Sequence, residues 1–280
     1  MLFSVIIPTC DRPDLLSLCL NNLAPGGQSV NPDSYEVIVT DDGINDTTKS
    51  LIEKEYSWVR WVNGPKKGPA ANRNNGARYA ESKWLVFTDD DCLPARDWLK
   101  AYKEATVQHP NSKAFEGAIL PDNFEALKED MAECPVNNKG GLFWSANIMV
   151  EKKLFEAVGG FDEEFIMAAN EDQEIYKKIM EQGIVPFYDN AIVIHPVKII
   201  SLSKKIALLP KSETSQILLR YKQHYSVYSN YFDGVRIHLF SGFDNLRKKK
   251  FKRLLYNTAG LFYRLLFCPL IIYKVYRRKV

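Results

Sequence analysis

The chain has 280 residues, 46% hydrophobic and 25% charged, ordinary globular values that leave ample length for a buried core in one large or two small domains. Its net charge of +3 is unevenly spread: residues 241–280 hold eleven Lys/Arg against Asp244 alone, a local +10 that leaves −7 for residues 1–240. An acidic body joined to a basic end predicts two regions with different partners. The five cysteines are odd in number and form no CxxC pair, which argues against a disulfide framework and a structural zinc site and fits a reducing cytoplasm. The apolar run 2–7 has no basic residues before it and stops at Pro8, so it does not read as a signal peptide.

Residues 3–7, rich in β-branched side chains, predict a first buried strand. A turn at 9–13 leads into a helix over 13–23 with Pro13 in its first turn, broken by Pro25-Gly26-Gly27. Residues 35–39 predict a second strand ending in Thr40-Asp41-Asp42-Gly43, then a helix to about Glu55 and a third strand at 59–62. A β-α-β-α-β series implies a right-handed, doubly wound parallel sheet. Residues 70–77 open a helix with neither a Walker pattern nor GxGxxG before it, and the helix carries Arg73. Residues 84–87 are a short apolar strand, after which Asp89, Asp90 and Asp91 arrive together. Strand C-terminal ends are where ligands bind in open α/β sheets.

Further on, a helix is expected at 98–108, a strand at 113–120, a mobile acidic loop at 121–136 and a strand over 142–150 with small residues at its centre. A short helix at 152–158, a helix at 170–183 with Glu171 and Asp172 in its first turn, and a closing strand pair at 184–193 complete the acidic body. His195 stands just past that pair. No internal repeat is present.

Three adjacent carboxylates repel one another and call for a cation. Asp89 and Asp91, two apart, face one side of an extended chain, which suits one hard ion such as Mg²⁺ or Mn²⁺; the alternative is a solvated turn. Each other candidate has a structural reading beside the functional one. Arg73 serves a diphosphate or a surface salt bridge. Asp41 caps the next helix or accepts a nucleobase N–H. Glu171 and Asp172 complement a helix dipole or supply a general base. His195 is structural or completes the metal site.

Taken together, FSVIIPTCDRPDLL, EVIVTDDG, ANRNNGA, WLVFTDDDCLP, FWSANIMVEKKLFEAVGGFDEEF, NEDQEIYKKIMEQG and the late IHP resemble glycosyltransferase family 2, inverting enzymes of the GT-A fold, over residues 1–200. The resemblance implies a nucleotide-binding half at about 1–95 and an acceptor half at about 96–200. It places Pro8, Thr9, Asp11, Arg12, Asp41, Arg73, Asp89 and Asp90 at the nucleotide and donor. Asp91, Asp89 and His195 would hold Mn²⁺ or Mg²⁺, and Trp144, Asn147 and Glu171 would meet the acceptor. Asp172, beside Glu171, is the implied catalytic base. The donor would be a nucleoside-diphosphate sugar, most simply a UDP-sugar, and the acceptor a saccharide or lipid-linked saccharide. The motif reads DDDC, which leaves the working pair of aspartates open. A haloacid dehalogenase-like hydrolase also carries Asp-x-Asp at a strand end, but Leu93 follows Cys92 where Thr or Val is expected; a non-catalytic scaffold of the same fold is the other rival.

Residues 201–280 predict a helical, basic extension, with 221–232 aromatic-rich and mobile. Basic clusters alternate with aliphatic and aromatic runs and no uninterrupted span of about 18 apolar residues occurs. Such a tail suits a helix lying on an anionic membrane, which would make the protein cytoplasmic and peripheral; packing on the acidic body is the alternative. The apolar content argues against nucleic acid.

Overall fold

A computed structural model describes residues 1–167 and 169–277; Arg278 and Lys279, part of the basic tail, lie outside them. The chain forms two compact units, Met1–Asp122 with Pro135–Pro196, and Asn123–Cys134 with Val197–Val280.

The elements of the first unit are β1 (Phe3–Thr9), α1 (Pro13–Leu23), β2 (Tyr35–Asp41), α2 (Thr47–Glu55), β3 (Val59–Asn63), α3 (Pro69–Tyr79), β4 (Trp84–Phe87), β5 (Leu93–Pro94), α4 (Trp98–Gln108) and β6 (Ala114–Pro121). After β7 (Ala132–Glu133), which belongs to the second unit, come β8 (Ile148–Glu151), α5 (Lys152–Ala157), α6 (Glu171–Met180) and β9 (Phe187–His195). Eight strands form one sheet in the order β3-β2-β1-β4-β8-β6-β9-β5. β3, β2, β1 and β4 run parallel, as does the β6–β9 pair, whereas β8 pairs antiparallel with β4 and β6, and β5 with β9.

Every residue of β1 and β4 is buried, as a strand covered on both faces requires. One layer packs Leu16, Leu20, Trp98 and Tyr102 of α1 and α4 against the sheet. The other packs Ala70 and Ala77 of α3 with Phe155, Phe161 and Ile175. α3 lies so close that a Cβ on Gly76 would stand 2.6 Å from the Ile6 methyl. Because β1, β2 and β4 are parallel, Thr9, Asp41 and Asp89 all emerge at one edge. Strand order reverses between β1 and β4, which opens a crevice at their C-terminal ends.

Four expectations need correction. Residues 145–147 form a 3-10 turn, so the strand there is only Ile148–Glu151. The expected strand pair near 184–193 is the single strand β9, whose partners are β6 and β5. The stretch expected as a loop at 121–136 contains the turn Ala126–Lys128 and β7, which pairs with β10 (Lys198–Ile199) in the second unit. The segment 221–232, expected to be mobile, holds the end of one helix at Lys222 and the start of the next at Val227. The second unit consists chiefly of α7 (Leu202–Lys222), α8 (Val227–Arg247), α9 (Phe251–Leu266) and α10 (Cys268–Arg277).

Candidate active site

After β4 the chain turns tightly, with Cys92 N donating to Asp89 O at 3.1 Å. The turn, rather than an extended chain, sends Asp90 one way and Asp89 and Asp91 another. Asp90 is fully buried. It accepts from Thr9 Oγ1 at 2.6 Å and pairs with Arg12 Nη2 at 2.6 Å. Burial pushes its carboxyl up to about 7 against the pull of Arg12 and Thr9. Arg12 Nη1 also reaches Asp91 Oδ2 at 3.2 Å. Arg73, buried on α3, donates from Nη2 to Asp89 at 2.8 Å and from Nη1 to Glu171 at 3.1 Å. Two arginines thus supply much of the positive charge that the aspartates demand.

A metal site has a separate basis. Donor atoms of Asp89, Asp91, Cys92 and His195 lie within 4.8 Å of one another. His195 Nδ1 donates to Pro196 O at 2.9 Å, which turns Nε2 toward Asp91 Oδ1 at 3.4 Å. An imidazole nitrogen and a carboxylate oxygen so placed can share one metal ion. Two carboxylates and an imidazole suit Mn²⁺ or Mg²⁺. Burial, with Asp89 and Asp91 nearby, pushes the Cys92 thiol well up, so it stays protonated and is the poor member of the set.

Asn170, with φ 72°, occupies the left-handed region that Asn tolerates, and starts α6 so that Glu171 and Asp172 fall in its first turn. Asp172 accepts from the backbone and hydroxyl of Ser145. Its Oδ1 and the Oε2 of Glu171 are buried without a hydrogen-bond partner among the described residues. Burial raises both carboxyls; Arg73 opposes this, and the Asp172 charge lifts Glu171 further, to about 8. The helix N-terminus favours ionised carboxylates, but here desolvation wins. A group raised in the folded state from 4.5 to about 8 leaves the native protein holding a proton that the unfolded chain has lost, so its stability contribution falls as pH rises through that window. Glu171→Gln is therefore expected to flatten the decline of Tm between about pH 5 and 8; an unchanged slope in thermal melts would assign the decline to other groups.

A cavity of about 510 Å³ lies beside these residues, lined by Pro8, Thr9, Arg12, Arg73 and Asp89 among those expected at the donor. Asp42, Lys66 and Asn72 also line it and were not singled out. Asp42 accepts from the backbone N–H of Lys66 at 2.8 Å and of Gly68 at 3.3 Å, a loop-holding role that the Asp41-Asp42 doublet left undivided. Asp41 is 2% exposed and accepts from Gly43 N and Trp61 Nε1; it holds its own turn instead of lining the cavity. Asp11 likewise accepts from Ile44 N and Asn45 Nδ2. Asn147 is corrected: it is 1% exposed and accepts from Trp98 Nε1 and Tyr102 OH while donating to Ala118 O and Ala191 O. With its amide spent inside the core it has nothing to offer an acceptor. Trp144 is half-buried and precedes the turn that carries Ser145.

A parallel-dominated sheet with clustered aspartates at the switch point and a carboxylate pair opening a nearby helix defines a GT-A glycosyltransferase architecture. The profile described as "Glycosyl transferase family 2" matches residues 4–114. Glycosyltransferase AglE of Haloferax volcanii is 33% identical over 214 residues, 70% of this chain and 67% of that protein. Validoxylamine A glucosyltransferase of Streptomyces hygroscopicus subsp. limoneus is 27% identical over 222 residues, 65% of this chain. The chain spans about half the length of that relative, 49%. Among solved structures, S. aureus TarS 1–349 in complex with UDP superposes with a TM-score of 0.58 at 19% identity, covering 95% of this chain and 92% of that one. The mannosyltransferase PcManGT of Pyrobaculum calidifontis, with GDP-Man and Mn²⁺, gives 0.62 at 18% identity, covering 94% and 87%. The chain belongs to glycosyltransferase family 2, which sets aside the dehalogenase alternative.

Proposed function

We propose that this chain transfers a sugar from a nucleoside-diphosphate sugar, a UDP-sugar in the first instance, to a hydroxyl of a saccharide or lipid-linked saccharide, with inversion at the anomeric carbon. The observation that carries the reading is the Asp89–Arg73–Glu171 chain of ion pairs, which ties the aspartates after β4 to the α6 terminus bearing Asp172. TarS structures with UDP and UDP-GlcNAc, PcManGT with GDP-Man, and a relative named for a glucosyl transfer onto a PP-undecaprenol-linked glycan support the donor and acceptor classes.

In this reading Pro8, Thr9 and Asp42 border the nucleotide, and Arg12 and Arg73 face its diphosphate. Asp89, Asp91 and His195 would hold a divalent ion, which when bound would supply Lewis-acid stabilisation of the leaving group. Asp172 Oδ1 takes the proton of the acceptor hydroxyl as its oxygen bonds to C1 and the C1–phosphate oxygen bond breaks, releasing the nucleoside diphosphate. Arg73, fixed between two carboxylates before substrate arrives, stabilises charge without reorganising. Trp144 and Glu171 border the acceptor side.

The test is a thermal-shift panel of UDP, GDP and their sugars with Mn²⁺ or with chelator, followed by product detection. A ligand at about 100-fold its Kd stabilises by about 2.7 kcal/mol. UDP with Mn²⁺ is expected to raise Tm, and Asp91→Asn to remove the Mn²⁺-dependent part. Failure of every nucleotide sugar to shift Tm would overturn the reading.

A further inference from the structure

Two helices of the second unit, α8 and α9, reverse the polarity of a water-soluble bundle. α8 buries Asn230, Gly234 and His238, and α9 buries Asn257, Gly260 and Arg264. At a spacing of three or four residues each trio forms one stripe. The opposite sides carry Phe232, Phe240 and Phe243 on α8 and Phe251, Leu255 and Phe262 on α9, every one of them more than half exposed. Leu270 and Tyr273 extend the apolar surface along α10.

The larger polar residues of the inward stripes meet in one seam. Glu213 of α7 accepts from His238 Nε2 at 2.9 Å and from Arg264 Nη1 at 2.6 Å, and Arg264 Nη2 donates to the backbone and side-chain oxygens of Asn230. Two glycines make the room: a Cβ on Gly234 would collide with the Arg264 guanidinium, and one on Gly260 with the His238 ring. Small residues and polar groups between helices, with large apolar residues outside, are the arrangement of helices packed in lipid. In water the same arrangement would leave these large apolar side chains exposed side by side.

The charges identify the occupant. Lys248, Lys249, Lys250 and Lys252 cluster where α8 gives way to α9, and Lys274 and Arg277 close α10. They border the apolar faces at the helix ends, where anionic headgroups meet hydrocarbon. Among the described residues no single helix is long and apolar enough to span a membrane, but α9 and α10, bent by 54°, together have the length and composition. An apolar groove of about 530 Å³ between the start of α8 and α10, lined by Tyr228, Phe232, Ile272 and Tyr273 with Arg277, has room for a lipid chain.

We propose that α8, α9 and α10 insert their outer faces into an anionic bilayer, held together there by the Glu213–His238–Arg264 seam. This is insertion of a folded helical unit, beyond adsorption of a basic tail, and it stands independently of sugar transfer.

The full chain is floated with equimolar phosphatidylglycerol and phosphatidylcholine vesicles, washed in high salt to screen surface charge, and assayed in parallel for UDP binding by thermal shift. Co-flotation that survives the wash is expected. Lys248→Gln, Lys249→Gln and Lys250→Gln should each weaken vesicle affinity about fivefold, the factor equivalent to about 1 kcal/mol per basic residue. Phe240→Ser with Phe243→Ser and Phe262→Ser, all outward-facing and checked by circular dichroism, should convert binding to a form released by salt. Protein that stays unbound, or that the wash strips from vesicles, overturns the proposal. A stable detergent-free dimer that ignores vesicles also overturns it, by assigning the face to a second copy.

Discussion

Asp172→Asn is expected to lower the rate of sugar transfer by about 10²–10⁴, the usual loss when a positioned general base is removed, while the affinity for UDP changes little. The amide keeps the shape of the carboxylate and still accepts from Ser145, but it cannot take the acceptor proton. The wild-type pH profile sharpens the test. Burial raises the Asp172 carboxyl above its ordinary 3.8, so the acid limb of kcat/KM should lie above the usual aspartate range and vanish in the residual activity of the variant. Turnover by product release and UDP affinity by calorimetry separate the two effects. An Asp172→Asn enzyme with near-normal turnover would move the base elsewhere, Glu171 being next in line.

Arg73→Met is expected to be the most damaging single change to the stability of the first unit. The guanidinium is 3% exposed and bridges Asp89 and Glu171; removing it strands both carboxylates beside Asp172. Breaking a buried pair costs about 3–5 kcal/mol, which for a fold of this size lowers Tm by about 6–20 °C. The loss should be larger at alkaline pH than near pH 5, because Glu171, whose carboxyl burial raises to about 8, keeps its proton there and no longer repels Asp172. Arg73→Lys should recover only part, since an ammonium lacks the planar fork that serves two carboxylates at once. Thermal melts at both pH values decide it: a shift of less than about 2 °C would show that the pairs contribute nothing net, as some buried pairs do.

Much of the first unit was legible because its information is local. β-branched runs marked β1 and β2, a short apolar run marked β4, and carboxylates at strand ends and at the start of α6 stood out against apolar neighbours. Of the candidate site residues, Arg73 and Asp89 could be singled out for the same reason, whereas Thr9 and Arg12 came from the family resemblance; all four line one cavity. Residues 145–147 misled because Ser145-Ala146-Asn147 sits inside an apolar run whose period does not distinguish a strand from a 3-10 turn. Asn147 was placed at the acceptor by the family resemblance; α4, delivering Trp98 and Tyr102 to its amide, makes it a core residue. Residues 221–232 looked mobile because aromatic density was read without the seam that α8 buries.

The sequence by itself carried the resemblance to the family, through several short motifs taken together, and it marked most of the strands and helices, the acidic edge of the sheet and the basic character of the end of the chain, which depend on pattern within one segment. Tertiary structure alone decided which charges neutralise which. Arg12 meets Asp90 and Asp91 across some 80 positions, and Arg73 meets Glu171 across 98. It also decided that α8 and α9 turn glycine and charge inward and phenylalanine outward. Helical period marks a stripe but not the side that is buried, and that choice belongs to whatever packs against it.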